Sequence, residues 1–402
     1  MPAENANMAR ILIIAYTTFV YDGRVKRHAE SLAARGDSVD VIALRSGHEG
    51  LQNGVNVIGV PMDRYRGDSR VRYMASYMRF FTCAARLAYK LGRANPYDVV
   101  ITCTLPDTAV LSALPARLFG SRVILDVHDT MPELYQDKFG GRRGAAGAKL
   151  LMLLERVCAG FADRVLAVHQ PHRLRLQESG IPDRKITVVM NSPQPGIFKN
   201  GDHAIDAQRC VLAYHGTITR RLGVDCAIKV LSLLVDRIPG VELRVIGGGD
   251  YMHEARMLAA RLNVSDRVRF EGSAPIEEVP RLLQDATVGL VPNPASSANH
   301  LMLPVKMLEY AALGIPVVAS RLRTVEHYFS DSAVRLVTPG DTNAMANAVE
   351  ELWRDAPLRA ELVRNARRIA SDLGWAHQER HFFAAIDELA DRRHDPSGRA
   401  TA

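Results

Sequence analysis

Leu303-Pro304-Val305-Lys306-Met307-Leu308-Glu309-Tyr310-Ala311-Ala312-Leu313-Gly314-Ile315-Pro316-Val317-Val318-Ala319-Ser320 spells out a helix followed by a strand. Val305, Leu308 and Ala312 fall at helical spacing, and Gly314 stops the helix. Pro316 to Ala319 is short and apolar on both faces, as in a parallel sheet covered by helices. The same alternation extends in both directions. Toward the N-terminus lie strands at Cys210 to Tyr214, Val241 to Ile246, Val268 to Glu271 and Val288 to Val291, with helices at Gly223 to Arg237 and Tyr251 to Leu262. Beyond Ser320 come a strand at Val334 to Val337 and helices at Asn343 to Trp353 and Ala356 to Ile369.

The first half repeats the pattern. Strands are predicted at Ile11 to Tyr16, Val39 to Leu44, Asn56 to Val60, Tyr97 to Cys103, Val123 to Val127, Arg164 to Val168 and Lys185 to Met190. Helices are predicted at Gly23 to Arg35, Arg70 to Leu91, Ala109 to Leu118 and Ala145 to Ala162. The Pro- and Gly-rich stretch from Asn191 interrupts it. The chain is therefore read as α/β: a Rossmann-like domain at 1–193, a linker at 194–208, a second Rossmann-like domain at 209–373, and a final helix and tail at 374–402. Open parallel sheets take ligands at the carboxyl ends of their strands, so the expected site is a cleft between the two domains.

Composition narrows the function. The 402 residues are 47% hydrophobic and 24% charged, with a net charge of +7. No dense Lys/Arg stripe sits in a recognisable nucleic-acid module, so no nucleic-acid partner is expected. The five cysteines show no CxxC spacing and read as buried thiols in a reducing compartment. No run reaches ~18 apolar residues, and the N-terminal run is a strand rather than a signal peptide. These features predict a cytoplasmic protein, with peripheral contact to the inner membrane face left open. That contact rests on residues 63–93, where eight cations oppose Asp63 and Asp68, with six aromatics interleaved. Arg142, Arg143 and Lys149 extend the patch. Such a segment either lies on anionic lipid or is an ordinary helix with its aromatics inward.

Four segments carry candidate chemistry. Gly247-Gly248-Gly249 follows a strand and precedes a helix, so its backbone N–H groups can approach a phosphate; Gly216 stands in the equivalent earlier turn. A flexible turn is the plain alternative. Lys306 and Glu309 are three apart and share a helix face, either as a surface ion pair or with the Glu309 carboxylate accepting from two vicinal hydroxyls, as on a ribose. His128, with Asp129 beside it, follows a strand in the first domain. Asp22, Gly23 and Arg24 either hold an acceptor or cap and decorate a helix.

Taken in order, the segments resemble the retaining glycosyltransferases of family four, which have the GT-B fold. Pro304-Val305-Lys306-Met307-Leu308-Glu309-Tyr310 with Gly314 and Pro316-Val317-Val318 resembles that family's C-terminal signature. Tyr214-His215-Gly216-Thr217-Ile218-Thr219-Arg220-Arg221-Leu222-Gly223 resembles the loop that opens its donor domain. Val245 to Gly249, Val268 to Gly272, Val288 to Pro292, Asp126 to Asp129 and Val189 to Ser192 follow suit, so the likeness spans nearly the whole chain.

The resemblance implies two Rossmann-like domains facing each other across a cleft, and transfer of a sugar from a nucleoside-diphosphate sugar to a glycan or lipid-linked acceptor with retention. Glu309 would hold the ribose hydroxyls. Arg220 or Arg221 and Lys306 would meet the diphosphate. His128 would attend the donor sugar, and Asp22, Gly23, Arg24 and Asp129 the acceptor side. The donor is a substrate rather than a cofactor, and neither cofactor nor metal is expected; Asp126, Asp129 and Glu133 are the only carboxylates that invite a metal. One departure is plain: many members carry a first glutamate eight positions before Glu309, and Leu301 stands there. The polar run Ser296 to His300 is then expected to contact the sugar. That departure keeps open a degenerate GT-B binding or scaffold protein; a nucleotide-sugar epimerase of GT-B type shares the architecture and is the other alternative, though the C-terminal motif fits it less well.

Overall fold

The computed structural model describes residues 8–63, 65, 69–104, 106–199 and 209–394. The chain forms two compact units. Unit 1 comprises Met1–Asn191 with Ala376–Ala402, and unit 2 comprises Ser192–Trp375.

Unit 1 is built on eight strands: β1 (Arg10–Ala15), β2 (Ser38–Leu44), β3 (Gly50–Gln52), β4 (Val55–Val60), β5 (Val99–Cys103), β6 (Arg122–Val127), β7 (Arg164–Ala167) and β8 (Ile186–Val188). Their order is β3-β4-β2-β1-β5-β6-β7-β8. All pairings are parallel except β3 with β4, an antiparallel edge that the apolar pattern did not disclose. The helices are α1 (Gly23–Arg35), α2 (Arg70–Ala94), α3 (Leu114–Leu118), α4 (Met131–Phe139), α5 (Gly141–Phe161) and α6 (Gln170–Glu178). The predicted helix at 109–118 is instead a 3-10 segment, Asp107–Ala113, running into the short α3. Pro115 stands at the start of α3, where its missing N–H removes no intrahelical bond.

Unit 2 has six parallel strands: β9 (Val211–His215), β10 (Glu242–Ile246), β11 (Val268–Gly272), β12 (Val288–Val291), β13 (Val317–Ser320) and β14 (Arg335–Val337). Their order is β11-β10-β9-β12-β13-β14. The helices are α7 (Val224–Leu234), α8 (Met252–Arg261), α9 (Val279–Leu282), α10 (Ser297–His300), α11 (Val305–Leu313), α12 (Arg323–Tyr328), α13 (Thr342–Arg354) and α14 (Ala356–Asp372). One apolar core packs α7 and α13 on β9, β10 and β12, and another packs α11 and α14 against β12 and β13. Strand order reverses between β9 and β12. Adjacent loops diverge there to opposite faces of the sheet and leave a crevice at the carboxyl end.

The last helix, α15 (Trp375–His394), belongs to unit 1 from Ala376 onward. Phe382 is buried and stacks on His28 at 4.2 Å. Gln378 accepts the amide of Met190, and Arg393 pairs with Asp98. No helix among the described residues is long and apolar enough to cross a membrane.

Candidate active site

The crevice at the β9/β12 reversal is a cavity of 220 Å³. His215 and Gly216 enter it from the end of β9, Asn293 from just past β12, and Pro304, Val305, Lys306 and Glu309 from the start of α11. Pro304 precedes the first helical turn without a side-chain cap. The helix therefore presents the positive end of its dipole to the cavity, a setting that suits an anion.

Polar groups converge here with unusual economy of bonding. His215 Nε2 lies 2.6 Å from Glu309 Oε2 and donates to it, while the His215 ring packs edge-on against Tyr310. Tyr310 is itself held by a bond from its hydroxyl to the Ala213 carbonyl, 2.9 Å. Glu309 Oε1 has no partner among the described residues. Lys306 is 8% exposed, and its ammonium sits 4.0 Å from the centre of the Tyr214 ring without a hydrogen-bond acceptor. Burial pulls the Lys306 pKa down to about 7 even though Glu309 nearby pushes it up. Asn293 is fully buried, and neither its amide nitrogen nor its carbonyl oxygen is bonded. His215 Nδ1 is likewise unmatched. Leaving a buried polar group unmatched costs roughly 1–3 kcal/mol. Three such residues around one cavity point to a polar ligand that completes them.

This arrangement corrects the picture of Lys306 and Glu309 as a surface pair. Both are buried, and it is Val305 and Ala312, expected to be buried, that are only half covered. His215, 94 positions from Glu309, and Asn293 were not singled out from sequence. The signal for His215 was its place at the end of the first strand of the domain.

The glycine turns serve packing more than they serve the cavity. Gly247 has φ 138, and a Cβ there would overlap the Gly216 carbonyl oxygen. A Cβ on Gly249 would overlap that of Ile218. Ile218 N–H donates to the Gly248 carbonyl at 2.9 Å, which locks the two loops together. The amides of Gly216 and Gly247 donate to Ile246 and Gly272, so they are engaged within the sheet rather than open to a phosphate. Of these four glycines, Gly216 alone lines the cavity.

The arginine pair divides. Arg220 is exposed, whereas Arg221 is half-buried with Nη1 3.3 Å from Asn299 Oδ1. Asn299 donates in turn to the carbonyls of Arg221 and Pro294, clamping the loop after β9 to the loop after β12. Neither arginine lines the cavity. The polar run 296–300 is also engaged locally: Ser296 caps α10, and His300 Nδ1 accepts the Arg323 amide. Ser296, Asn299 and His300 thus already have partners within the chain. Leu301 is half-buried, and the neighbouring Met302 reaches the cavity instead.

In unit 1 the expected residues gather around Asp126, the buried acid of β6. Arg24 grips it with a two-nitrogen fork at 3.0 and 2.7 Å and donates its third nitrogen to the Val189 carbonyl. His128 Nε2 lies 3.0 Å from the same carboxylate, and His28 Nδ1 3.5 Å from it. Burial alone would raise the Asp126 pKa, but Arg24 foremost, with His128 and His28, holds it well below the usual carboxylate range. Arg24 is therefore a buried structural cation, not an open acceptor contact. Asp22 caps α1 by accepting the Val25 amide at 3.1 Å. Gly23 opens that helix with free space where a Cβ would be, so the loop does not depend on it. Asp129 is exposed. Cys103, Asp126 and His128 bring ligand atoms within 4.8 Å of one another. A cation there would compete with the Arg24 guanidinium, which already bonds both carboxylate oxygens of Asp126.

Residues 23–192 match the family model described as "Glycosyl transferase 4-like domain", and residues 209–355 match "Glycosyl transferases group 1". The chain is a glycosyltransferase of the GT-B fold. This glycosyltransferase is 28% identical to D-inositol 3-phosphate glycosyltransferase of Acidothermus cellulolyticus, over 92% of the chain and 86% of that protein. It is 30% identical to a GDP-mannose-dependent phosphatidylinositol monomannoside mannosyltransferase of Mycolicibacterium smegmatis, over 46% of the chain and 49% of that protein. Among solved structures, sucrose-phosphate synthase from Thermosynechococcus elongatus superposes with a TM-score of 0.77 at 18% identity, covering 95% of this glycosyltransferase and 99% of that chain. Anabaena HepE in complex with UDP-glucose gives 0.72 at 17%, covering 94% and 100%.

Proposed function

We propose that this glycosyltransferase binds a nucleoside-diphosphate sugar at the β9/β12 cavity and passes the sugar, with retention, to a glycan or lipid-linked acceptor. The observation that carries the donor half is the convergence of Glu309, Lys306, His215 and Asn293 on one crevice at the start of α11. A carboxylate with one oxygen fixed by His215 has the other left to accept ribose hydroxyls. The ammonium of Lys306 and the helix start answer the diphosphate charge. Two related proteins name candidate donors: a relative is described as GDP-mannose-dependent, and a structural neighbour was crystallised with UDP-glucose.

In the reaction the acceptor hydroxyl oxygen forms a bond to the anomeric carbon while the bond from that carbon to the diphosphate oxygen breaks. The hydroxyl proton passes to the departing phosphate oxygen, so no separate protein base is required. Charge grows on the leaving diphosphate, and Lys306, with Arg220 or Arg221 carried by its loop, offsets it. For unit 1 the proposal assigns His128 to the reacting sugar: Asp126 holds Nε2 and fixes the ring, and Nδ1 makes no bond among the described residues.

Calorimetric titration of the purified protein with UDP, GDP, ADP and their sugar conjugates tests this reading. One nucleotide diphosphate is expected to bind clearly more tightly than the rest, and Glu309→Ala to weaken it about 100-fold, the loss of a pair of charge-assisted hydrogen bonds. Binding that is absent for all of them, or untouched by the substitution, overturns it.

A further inference from the structure

Among the described residues seventeen large apolar side chains are exposed, and eleven of them lie on only three neighbouring parts of unit 1: α2, the 3-10 segment with α3, and α5. These pack side by side, the 3-10 segment touching both α2 and α5. On α2 the exposed members include Met74 (62%) and Met78; on α3, Leu118 (76%); on α5, Leu150, Leu153 and Val157 (60%). Leu150, Leu153 and Val157 repeat at helical spacing, the pattern of a face built to be covered. An apolar surface gathered in this way is unusual on a protein with no partner.

Charge identifies the occupant. Within α2, the 3-10 segment, α3 and α5 the acidic residues are Asp107 and Glu155, and both are buried. Every exposed charged side chain described on these elements is a cation, among them Arg79, Arg86 and Arg156. Near the C-terminal end of α5 lies a cavity of 370 Å³ lined by five arginines and Lys185, in which Arg117 and Arg122 pair with Asp163, and Arg164 and Arg392 with Glu388. A second copy of this face would meet it with like charge, and an ordinary protein partner would not call for cations along the whole length. Of the aromatics that prompted the sequence reading, only Tyr89 belongs to this surface among the described residues. Phe80 and Phe81 are buried, and the Arg64, Arg66, Asp68 and Gly67 positions and the side chains of Arg70 and Arg143 lie outside the described residues.

We propose that this face of unit 1 docks on the surface of an anionic lipid bilayer. The leucines, methionines and valines enter the boundary between headgroups and acyl chains, and the cations, with the basic cavity beside them, take lipid phosphates. The assignment is independent of the donor reading, because vesicle binding requires no nucleotide.

The test is flotation of the full chain with vesicles of phosphatidylcholine alone and of phosphatidylcholine with one-third phosphatidylglycerol. Binding to the mixed vesicles, at least tenfold tighter than to phosphatidylcholine and weakened by 0.5 M salt, is expected. R79Q/R86Q/R156Q should lower it about fivefold per arginine, and L150Q/L153Q/V157Q should abolish it at low protein concentration, with unchanged far-UV circular dichroism and melting temperature in both. Equal binding to both vesicles overturns the proposal, as does wild-type binding by either triple variant. So does a wild-type dimer in sedimentation that L150Q/L153Q/V157Q splits, which would assign the face to a second copy.

Discussion

At the scale of single residues, Lys306 and Glu309 do different work, and pH separates them. The Lys306 pKa of about 7 belongs to a buried ammonium with only an aromatic face beneath it. A diphosphate beside it would favour the charged form and raise that pKa, so binding above pH 7 must take up a proton. The dissociation constant of the nucleoside diphosphate is therefore expected to rise between pH 7 and 9, approaching tenfold per unit, and to be flatter in Lys306→Met. Titration calorimetry in buffers of different ionisation enthalpy reads both the slope and the proton. Asp126 shows the opposite sign. Its folded pKa lies well below 3.8, so the stability it contributes is present above about pH 4 and is lost as pH falls through the folded value. Asp126→Asn leaves the Arg24 guanidinium buried without its counter-charge and should cost unit 1 about 3–5 kcal/mol in denaturant unfolding.

At the scale of elements, the loops after β9 and β10 meet backbone to backbone, and that contact dictates their glycines. Gly249→Ala forces a methyl group into the Ile218 carbonyl, and Gly223→Ala does the same to Pro292 at a left-handed φ of 81. Each substitution should lower the stability of unit 2 by about 2–4 kcal/mol, read as a lower urea midpoint, and should weaken nucleotide binding only in proportion to the unfolded fraction. The central strands of both sheets were legible in the sequence because they are apolar on both faces, as β1 and β5 illustrate. The elements that escaped are those whose residues carry little periodicity. Gln170–Glu178 is mostly polar with Pro171 at its start, and Met131–Phe139 is short with Pro132 in its first turn. The site was legible in the same uneven way. Glu309 and Lys306 stand in a recognisable order along one helix, but the partners that give them meaning, His215 and Asn293, arrive from two other strand ends through the sheet order.

At the scale of the whole molecule, each unit has its own apolar packing among the described residues, so perturbations are expected to stay local. A saturating nucleoside diphosphate is expected to raise the melting temperature of unit 2, by mass action on its folded state, and to leave a unit 1 transition where it was. In Asp126→Asn the assignment should reverse, with the early transition belonging to unit 1 and calorimetric nucleotide binding intact at 15 °C. A scan in which both transitions always move together would mean that the units unfold as one cooperative body.

The return of the chain to unit 1 at Ala376 has a consequence for synthesis on the ribosome. Residues up to Asn191 emerge before unit 2, yet the partners of His28, Asp98 and the Met190 amide reside on α15, which is made after unit 2. Unit 2, continuous in sequence, can complete itself while unit 1 still waits for its final helix. The nascent chain is thus expected to mature from its middle outward, with the apolar seat of Phe382 exposed throughout the translation of nearly two hundred intervening codons and within reach of chaperones.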